Sequence, residues 1–185
     1  EDASACATLA TTGQPIAFPD ETPVAGCVYE DLYSFGSRSF TIWDTSTGRP
    51  VFDSGSDFER ITAQQLGDSF NASNDSNDGD DRSDDKGPEP EAVEIATVDG
   101  NTFAFVALER VGGIMVYNIT NPQNATYVQY INPRDFSVDD VAVEANMAGP
   151  LGPEDVKFIT QDGENYLLVS NEVSGTLSIY SVTAL

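Results

Sequence analysis

The chain contains an internal repeat, and this repeat restricts the fold more than any other feature of the sequence. Residues 90–120 align without a gap on residues 153–183, at a constant offset of 63, and 11 of the 31 aligned positions are identical. The identical pairs include Asp99-Gly100 and Asp162-Gly163, a dipeptide typical of tight β-hairpin turns. A weaker similarity of pattern relates residues 40–44, 114–118 and 177–181. Repeats of antiparallel strands indicate a β-propeller or a β-solenoid.

Alternating apolar and polar residues predict the strands of each repeat. After the acidic stretch, four strands are predicted within residues 92–131, and the same scheme recurs within residues 155–182. Earlier in the chain, residues 40–44 and 50–53 predict a hairpin, and residues 58–70 are the only helical candidate. Four-stranded units separated by a variable loop favour the propeller over the solenoid.

We therefore predict an all-β, propeller-like fold of about three four-stranded antiparallel blades. The blades are expected near residues 29–70, 90–133 and 151–185, with an acidic loop at 71–89. A closed propeller needs roughly four or more blades, because each blade must stack on its neighbours. We expect another chain, or a further segment of polypeptide, to complete the ring.

Residues 1–28 predict an irregular lead-in, rich in Thr, Ala, Pro and Gly. The sequence begins without Met and without an apolar leader, so we expect a processed chain or one cut from a longer protein. The lead-in contains both cysteines of the chain, Cys6 and Cys27. Two cysteines about twenty residues apart, without a CxxC motif, predict one disulfide and an oxidising compartment. Two buried free thiols are the alternative. Four sequons, at Asn71, Asn74, Asn118 and Asn124, agree with a secreted or cell-surface protein.

The charge balance and the lack of histidine exclude several functions. Thirty-one acidic residues face eight basic ones, for a net charge of −23. Nucleic acid and anionic membrane surfaces are therefore poor partners, because both require Lys and Arg. No apolar run approaches the roughly 20 residues of a membrane span. Without histidine, no Ser-His-Asp triad or His-ligated zinc site lies within the chain. Divalent cations, high salt or solubility alone would each suit this balance.

The acidity is concentrated in residues 71–91, NASNDSNDGDDRSDDKGPEPE, where eight carboxylates face Arg82 and Lys86. Aligned on Asp78-Gly79, the stretch follows the EF-hand pattern imperfectly, with Asn74 at the first position and Asp85 at the twelfth. A Ca²⁺ site and a solvated flexible loop both remain open. The candidate ligands within this stretch are Asp75, Asn77, Asp80, Asp81, Asp84 and Asp85.

The repeat contributes a second set of candidate ligands. Glu91 aligns with Glu154 just after a proline, and Glu109 aligns with Glu172 at the bend between the second and third strands. Equivalent positions in successive repeats occupy equivalent places in the structure. Carboxylates from neighbouring blades would converge if these positions point toward the axis or one rim, and Ca²⁺ would relieve their repulsion. Alternatively, each glutamate caps backbone N–H groups of its own blade.

Several motifs together resemble a known family. They are RSFTIWD, VFDSGSDFE, DDRSDDKGPEPE, AFVALERVGGIMVYNIT, YINPRDF, LGPE and VSNEVSGTLSIY, in this order between residues 29 and 182. The series resembles the choice-of-anchor I proteins, in the C-terminal portion of the family domain. That resemblance implies an extracellular, β-propeller-like protein, similar to a sea-urchin mesenchyme-specific cell-surface glycoprotein linked to biomineral formation. The first 28 residues match no motif of the family, which leaves the disulfide without its support.

The resemblance and the residues together favour an extracellular acidic module. It would bind Ca²⁺ and interact with a surface, a mineral or another protein. Some family members carry an alkaline-phosphatase label, which implies an alternative, a Ca²⁺-dependent phosphatase whose site is shared with further blades or a partner chain. Such an enzyme would need cations for the phosphate group. The candidates are Arg38, Arg82, Lys86 and Arg110.

Overall fold

A computed structural model describes residues 38–138, 141 and 147–183, and these residues form nine strands, one α-helix and one short 3₁₀ helix. The predicted lead-in at 1–28, with Cys6 and Cys27, lies outside the described residues, so the disulfide stays a prediction. Within the described part, no helix is both long and apolar enough to cross a membrane.

The elements follow one another as a hairpin, a helix and two larger sheets. The hairpin comprises β1 (Thr41–Asp44) and β2 (Arg49–Asp53), and it is followed by α1 (Asp57–Leu66) and a 3₁₀ helix (Gly67–Ser69). The second sheet contains β3 (Pro90–Val98), β4 (Asn101–Leu108), β5 (Ile114–Asn118) and β6 (Thr126–Ile131). The third sheet contains β7 (Pro153–Gln161), β8 (Glu164–Asn171) and β9 (Thr176–Val182). All neighbouring strands are antiparallel.

The second and third sheets repeat each other in their strand bounds. Each end of β7 and of β8 lies 63 residues beyond the corresponding end of β3 and of β4. Their connecting turns also match: φ is +48° at Asp99 and +82° at Gly100, and +54° at Asp162 and +85° at Gly163. Two positive φ angles are what a type I′ hairpin turn requires, and its twist suits the flanking strands. The offset read from the sequence is therefore a structural repeat.

Two apolar clusters join the three units into layers. One face of the second sheet packs against the first hairpin and α1, and the cluster includes Phe58, Ile61, Val106, Met115 and Tyr117. Its opposite face packs against the third sheet, and this cluster includes Ala96, Phe105, Ile114, Val156 and Val169. The buried Tyr117 also donates its hydroxyl hydrogen bond to Asp57 at 3.0 Å, which ties the start of α1 to β5.

The prediction of an all-β fold built from three antiparallel sheets is confirmed. The helix predicted at 58–70 is also confirmed, as α1 and the 3₁₀ turn. The strand numbers differ: within the described residues the sheets have two, four and three strands, so only the middle one is a complete four-stranded blade. The described residues form no closed ring.

In the third sheet, none of the described residues pairs with the outer edge of β9. A groove of about 470 Å³ follows this edge, between β9 and the strands β5 and β6 of the second sheet. Ile114, Val116 and Val128 line one wall, and Tyr180 and Val182 line the other.

Candidate metal centre

Glu91 and Glu154 lie in equivalent β-bulges. In β3, Pro90 pairs with Leu108 and Val93 pairs with Val106, so two residues of the strand, Glu91 among them, face one residue of β4. In β7 the register shifts in the same place, between Pro153 and Asp155, and leaves Glu154 as the extra residue. A bulge bends its strand and redirects a side chain. The sequence repeat thus places a redirected carboxylate at the same corner of both sheets.

Glu109 and Glu172 come directly after β4 and β8, and one hydrogen bond fixes each of them. The N–H of Glu109 donates to the carbonyl of Glu89 at 2.9 Å, and the N–H of Glu172 donates to the carbonyl of Gly152 at 2.8 Å. These two bonds are again related by the offset of 63. Glu109 is therefore held beside the bulged start of β3, and Glu172 beside the bulged start of β7.

The structure brings the four matched glutamates together at the junction of the second and third sheets. Carboxylate oxygens of Glu109, Glu154 and Glu172 lie within 4.8 Å of one another, and so do those of Glu89, Glu91 and Glu109. Glu109 belongs to both groups. We call the five residues the glutamate cluster. Of the two arrangements that the sequence left open, the geometry is that of converging carboxylates.

Burial and repulsion act together on Glu109. Glu109 is only 7% exposed, and this burial raises the pKa of its carboxyl group above the ordinary value. Arg110 lowers this pKa, while the charges of Glu91, Glu154 and Glu172 raise it further. The amide of Asn74 donates to Oε1 of Glu109 at 3.3 Å. A negative charge at Glu109 is therefore costly unless a cation compensates for it.

Glu89 is the member of the cluster that the sequence analysis missed. Its backbone is left-handed, with φ of +57°, although it is buried and is not glycine. The aligned residue of the next repeat is Gly152, with φ of +67°. The carboxylate of Glu89 pairs with Lys86 and with Arg110, the latter at 2.5 Å. The signal available in the sequence was the alignment of a glutamate with a glycine.

Among the described residues, three carboxylates of the cluster have no basic side chain within ion-pair distance. In the described part of the chain, no Lys or Arg lies within ion-pair distance of Glu91, Glu154 or Glu172. Three exposed carboxylates thus lie close to the buried Glu109. Carboxylate oxygens in this number suit a hard divalent cation such as Ca²⁺.

The other candidate ligands of the acidic stretch lie apart from the glutamate cluster, and their role as ligands stays a prediction. Among the described residues, its candidate aspartates do not belong to the groups of three carboxylates that lie close enough to share an ion. Asp80 accepts a hydrogen bond from Ser83, Asp85 pairs with Arg82 at 2.6 Å, and Asp75 accepts from Ser73 at 2.6 Å. Asp81 and Asp84 are exposed. Asp75, Asp80 and Asp85 thus take part in bonds within the loop.

The stretch is nevertheless an ordered loop that packs on α1 and on the β4–β5 corner. Asn71 is fully buried, and its amide donates to Ser83 at 3.0 Å. Asn77 donates to the carbonyl of Val138 at 2.8 Å and accepts from Arg134 at 3.0 Å. Burial lowers the pKa of Arg134 to about 10, and its guanidinium also donates to the carbonyls of Ser76 and Arg110. Through Asn74, the loop reaches the glutamate cluster directly.

Each of the four candidate anion-binding cations has an acidic partner. Arg38 pairs with Glu59 and also donates to the carbonyls of Ser83 and Asp85, at 2.7 and 2.9 Å. The other three pair with carboxylates of the loop or the cluster, and these are Arg82 with Asp85, Lys86 with Glu89, and Arg110 with Glu89 and Glu109. All four cations thus have acidic partners, and Arg82, Lys86 and Arg110 all lie within ion-pair distance of the buried Glu89. Their role in binding an anion stays a prediction.

The four sequons differ in accessibility. Asn71 and Asn74 are 0% and 6% exposed, and both side-chain amides donate within the protein. A glycan on either residue is incompatible with this packing. Asn118 is partly exposed at the end of β5, and Asn124 is exposed in the turn before β6. Glycosylation thus remains a prediction for Asn118 and Asn124 only.

Stacked antiparallel sheets with an acidic junction define an all-β repeat module, and sequence comparison assigns its family. The chain belongs to the choice-of-anchor I domain family, whose model matches residues 17–122, more than half of the chain. The match ends at residue 122, after β5. This family suggests an extracellular or cell-surface protein.

A relative supports this assignment. The chain is 28% identical to Gigasin-3a of Magallana gigas over 169 residues, which is 85% of this chain and 60% of the relative. The chain thus spans about 60% of the length of the curated relative that it matches. No solved structure matches the chain.

Proposed function

We propose that the chain is an extracellular module that binds Ca²⁺ at the glutamate cluster and presents an acidic surface to a mineral face or another protein. The observation that carries this proposal is the convergence of Glu109, Glu154 and Glu172 from two sheets to within 4.8 Å. Three further observations support it.

The first is electrostatic. The charges of three glutamates and the burial of the residue all raise the pKa of Glu109, so the site without a cation opposes its own ionisation. A divalent cation bound among these carboxylates would offset their repulsion. The carboxylate oxygens would in turn replace water molecules in the coordination shell of the ion. Calcium accepts six to eight oxygen ligands in flexible geometry, which suits side chains from several strands better than the strict octahedron of magnesium.

The second is the position of the cluster between two sheets. Glu89, Glu91 and Glu109 belong to the second sheet, whereas Glu154 and Glu172 belong to the third. A cation held by both sets would link the sheets at their acidic corner. Its binding free energy would then add to the stability of the folded state.

The third is the setting. The family suggests an extracellular protein, and Ca²⁺ is abundant outside cells. Extracellular Ca²⁺ modules bind this ion in the range of roughly 10⁻⁴ to 10⁻³ M. The net charge of −23 gives the surface a strong preference for cations. Mineral contact follows from the same property, because a mineral face presents an array of such ions.

Isothermal titration calorimetry with Ca²⁺ tests the proposal. We expect one binding event in the range of about 10⁻⁴ to 10⁻³ M. Glu154→Gln combined with Glu172→Gln should weaken it about tenfold or more, because two charged ligands are lost. The matched control is Glu164→Gln, an exposed glutamate of β8 outside the cluster, which should bind as the original chain does. An absence of binding at millimolar Ca²⁺, or unchanged binding by the double variant, would refute the site.

The phosphatase hypothesis has weaker support. Its phosphate would need free cations beside the metal, and the four candidates are engaged with carboxylates or loop carbonyls. We therefore do not propose hydrolysis as the function of this chain.

A further inference from the structure

One contact at the glutamate cluster differs between the two repeats. In the second sheet, Nε of Arg110 donates to the carboxylate of Glu89 at 2.5 Å. The residues 63 positions later are Val173 and Gly152. A Cβ atom added at Gly152 would lie 2.8 Å from Cγ2 of Val173. The same two positions are therefore neighbours in both sheets, as an ion pair in the second sheet and as a valine and a glycine in the third.

Glu89 is the acidic half of this ion pair, and its other close contacts are also with cations. Its carboxylate pairs with Lys86, and Nη2 of Arg82 lies 3.9 Å from it. Its φ of +57° is a conformation that glycine adopts without strain, so the side chain must serve a purpose that offsets the cost. A buried carboxylate that already pairs with several cations attracts a further cation weakly. Glu89 is therefore suited to hold Arg110 and poorly suited to bind a metal ion.

Arg110 extends from Glu89 to the glutamate that both groups of carboxylates share. Its Nη2 lies 3.3 Å from Oε1 of Glu109, and its side chain is 27% exposed. Among the described residues, Glu109 is the only one of the four matched glutamates with a basic side chain within ion-pair distance. Arg110 thus places one positive charge of the protein itself against the carboxylates that are proposed to hold Ca²⁺.

We propose that Arg110 is an internal cation that competes with Ca²⁺ for Glu109, and that Glu89 positions Arg110 and is not a ligand of the ion. This inference rests on the proposed function, because it concerns the affinity of the same site. The guanidinium compensates part of the negative charge while the site is empty, and it repels a divalent ion that enters. The four matched glutamates would then hold the ion, and Arg110 would keep its affinity below what these glutamates alone would give.

Arg110→Val tests the competition, because it gives the second sheet the residue that the third sheet already has. In calorimetric titration, the variant should bind Ca²⁺ about tenfold more tightly than the original chain, since a positive charge beside the ion is removed. Structural damage at this corner would weaken binding, so a gain in affinity identifies the charge as the cause. Circular dichroism checks the fold, and Arg110→Gln makes the same test with a polar side chain.

Two further variants serve as controls. Arg110→Lys keeps the positive charge and should bind Ca²⁺ about as the original chain does. Arg49→Val removes an exposed arginine of β2 that lies outside the glutamate cluster, and it should leave the affinity nearly unchanged. This second control shows whether a general loss of positive charge is enough to raise the affinity.

Glu89→Gly combined with Arg110→Val tests the role of Glu89, because it gives the second sheet the residue pair of the third. If Glu89 acts only through Arg110, the double variant should bind Ca²⁺ as tightly as Arg110→Val does. If Glu89 is a ligand, the double variant should bind about tenfold more weakly than Arg110→Val, because the affinity of Ca²⁺ sites depends on the number of charged ligands.

Two results would overturn the inference and leave the Ca²⁺ site standing. One is binding by Arg110→Val and Arg110→Gln that is no tighter than that of the original chain. The other is a double variant that binds more weakly than Arg110→Val. Failure of both the original chain and Arg110→Val to bind Ca²⁺ would instead refute the proposed function, and the inference with it.

Discussion

At the scale of single residues, Glu109 connects protonation to stability. Burial and neighbouring carboxylates raise the pKa of its carboxyl group in the folded chain, so folding favours the protonated form. The contribution of Glu109 to the free energy of unfolding is therefore greatest below the ordinary carboxyl pKa of 4.5. It is lost as the pH rises through the raised value in the folded state.

Glu109→Gln tests this link, because the neutral amide keeps the shape of the side chain and removes its charge. In chelator at neutral pH, the variant should unfold at higher urea concentration than the original chain. The difference should shrink toward zero as the pH falls below 4.5. With saturating Ca²⁺ at neutral pH, the original chain should instead be the more stable of the two, since only it keeps the charged carboxylate of Glu109 as a ligand. A difference that does not vary with pH would contradict the electrostatic cause.

The residues of the glutamate cluster could be predicted only in part. Glu91, Glu109, Glu154 and Glu172 were recognisable because the repeat preserves them. Glu89 was not, because its role depends on a left-handed backbone and on contacts with Lys86 and Arg110. The aspartates of the acidic stretch were predicted as ligands from their number and from an EF-hand-like spacing, and this role stays a prediction.

At the scale of elements, the acidic stretch depends on one close approach of two backbones. A Cβ atom added at Gly79 would overlap the carbonyl oxygen of Asp68 in the 3₁₀ turn. The clash is with backbone, so a side chain cannot move aside to relieve it. Gly79 therefore sets how closely the loop packs against the end of α1.

Gly79→Ala should cost about 2 kcal/mol or more in the free energy of unfolding, through overlap and displacement of the loop. The comparison is Gly48→Ala, in the first hairpin turn, where φ is +65° and no heavy atom lies within 4 Å of an added Cβ. That variant carries backbone strain alone and should cost about 1 kcal/mol. Urea unfolding measures both, and an equal or smaller cost at Gly79 would show that the loop is not tightly packed.

The elements were predicted more completely than the site. Alternating apolar residues and the Asp-Gly turns located the hairpins of the second and third sheets, and the repeat fixed their equivalence. That the acidic stretch forms an ordered loop was harder to predict from the local sequence pattern. Its fold rests on long-range bonds, such as that of Asn77 to Val138, between residues distant in the sequence.

At the scale of the whole molecule, the charge of −23 acts against folding. Like charges on a compact chain repel one another, and salt screens this repulsion over a Debye length that falls from about 30 Å at 0.01 M to about 3 Å at 1 M. We expect the Tm of the chain to rise by several degrees between these salt concentrations, measured by differential scanning calorimetry at low protein concentration. A Tm that is flat or falls would show that the acids are balanced locally.

The repeat also makes the molecule divisible. The boundary between units falls at Glu89 and Gly152, which occupy the same left-handed position and accept the same backbone hydrogen bond. A duplication of residues 90–152, inserted after Gly152, would place each strand, turn and bulge in register with its neighbours. The chain can in this sense be lengthened by whole units. Because the added unit precedes β7, Leu177 and Ile179 of the third sheet should stay exposed in the longer chain.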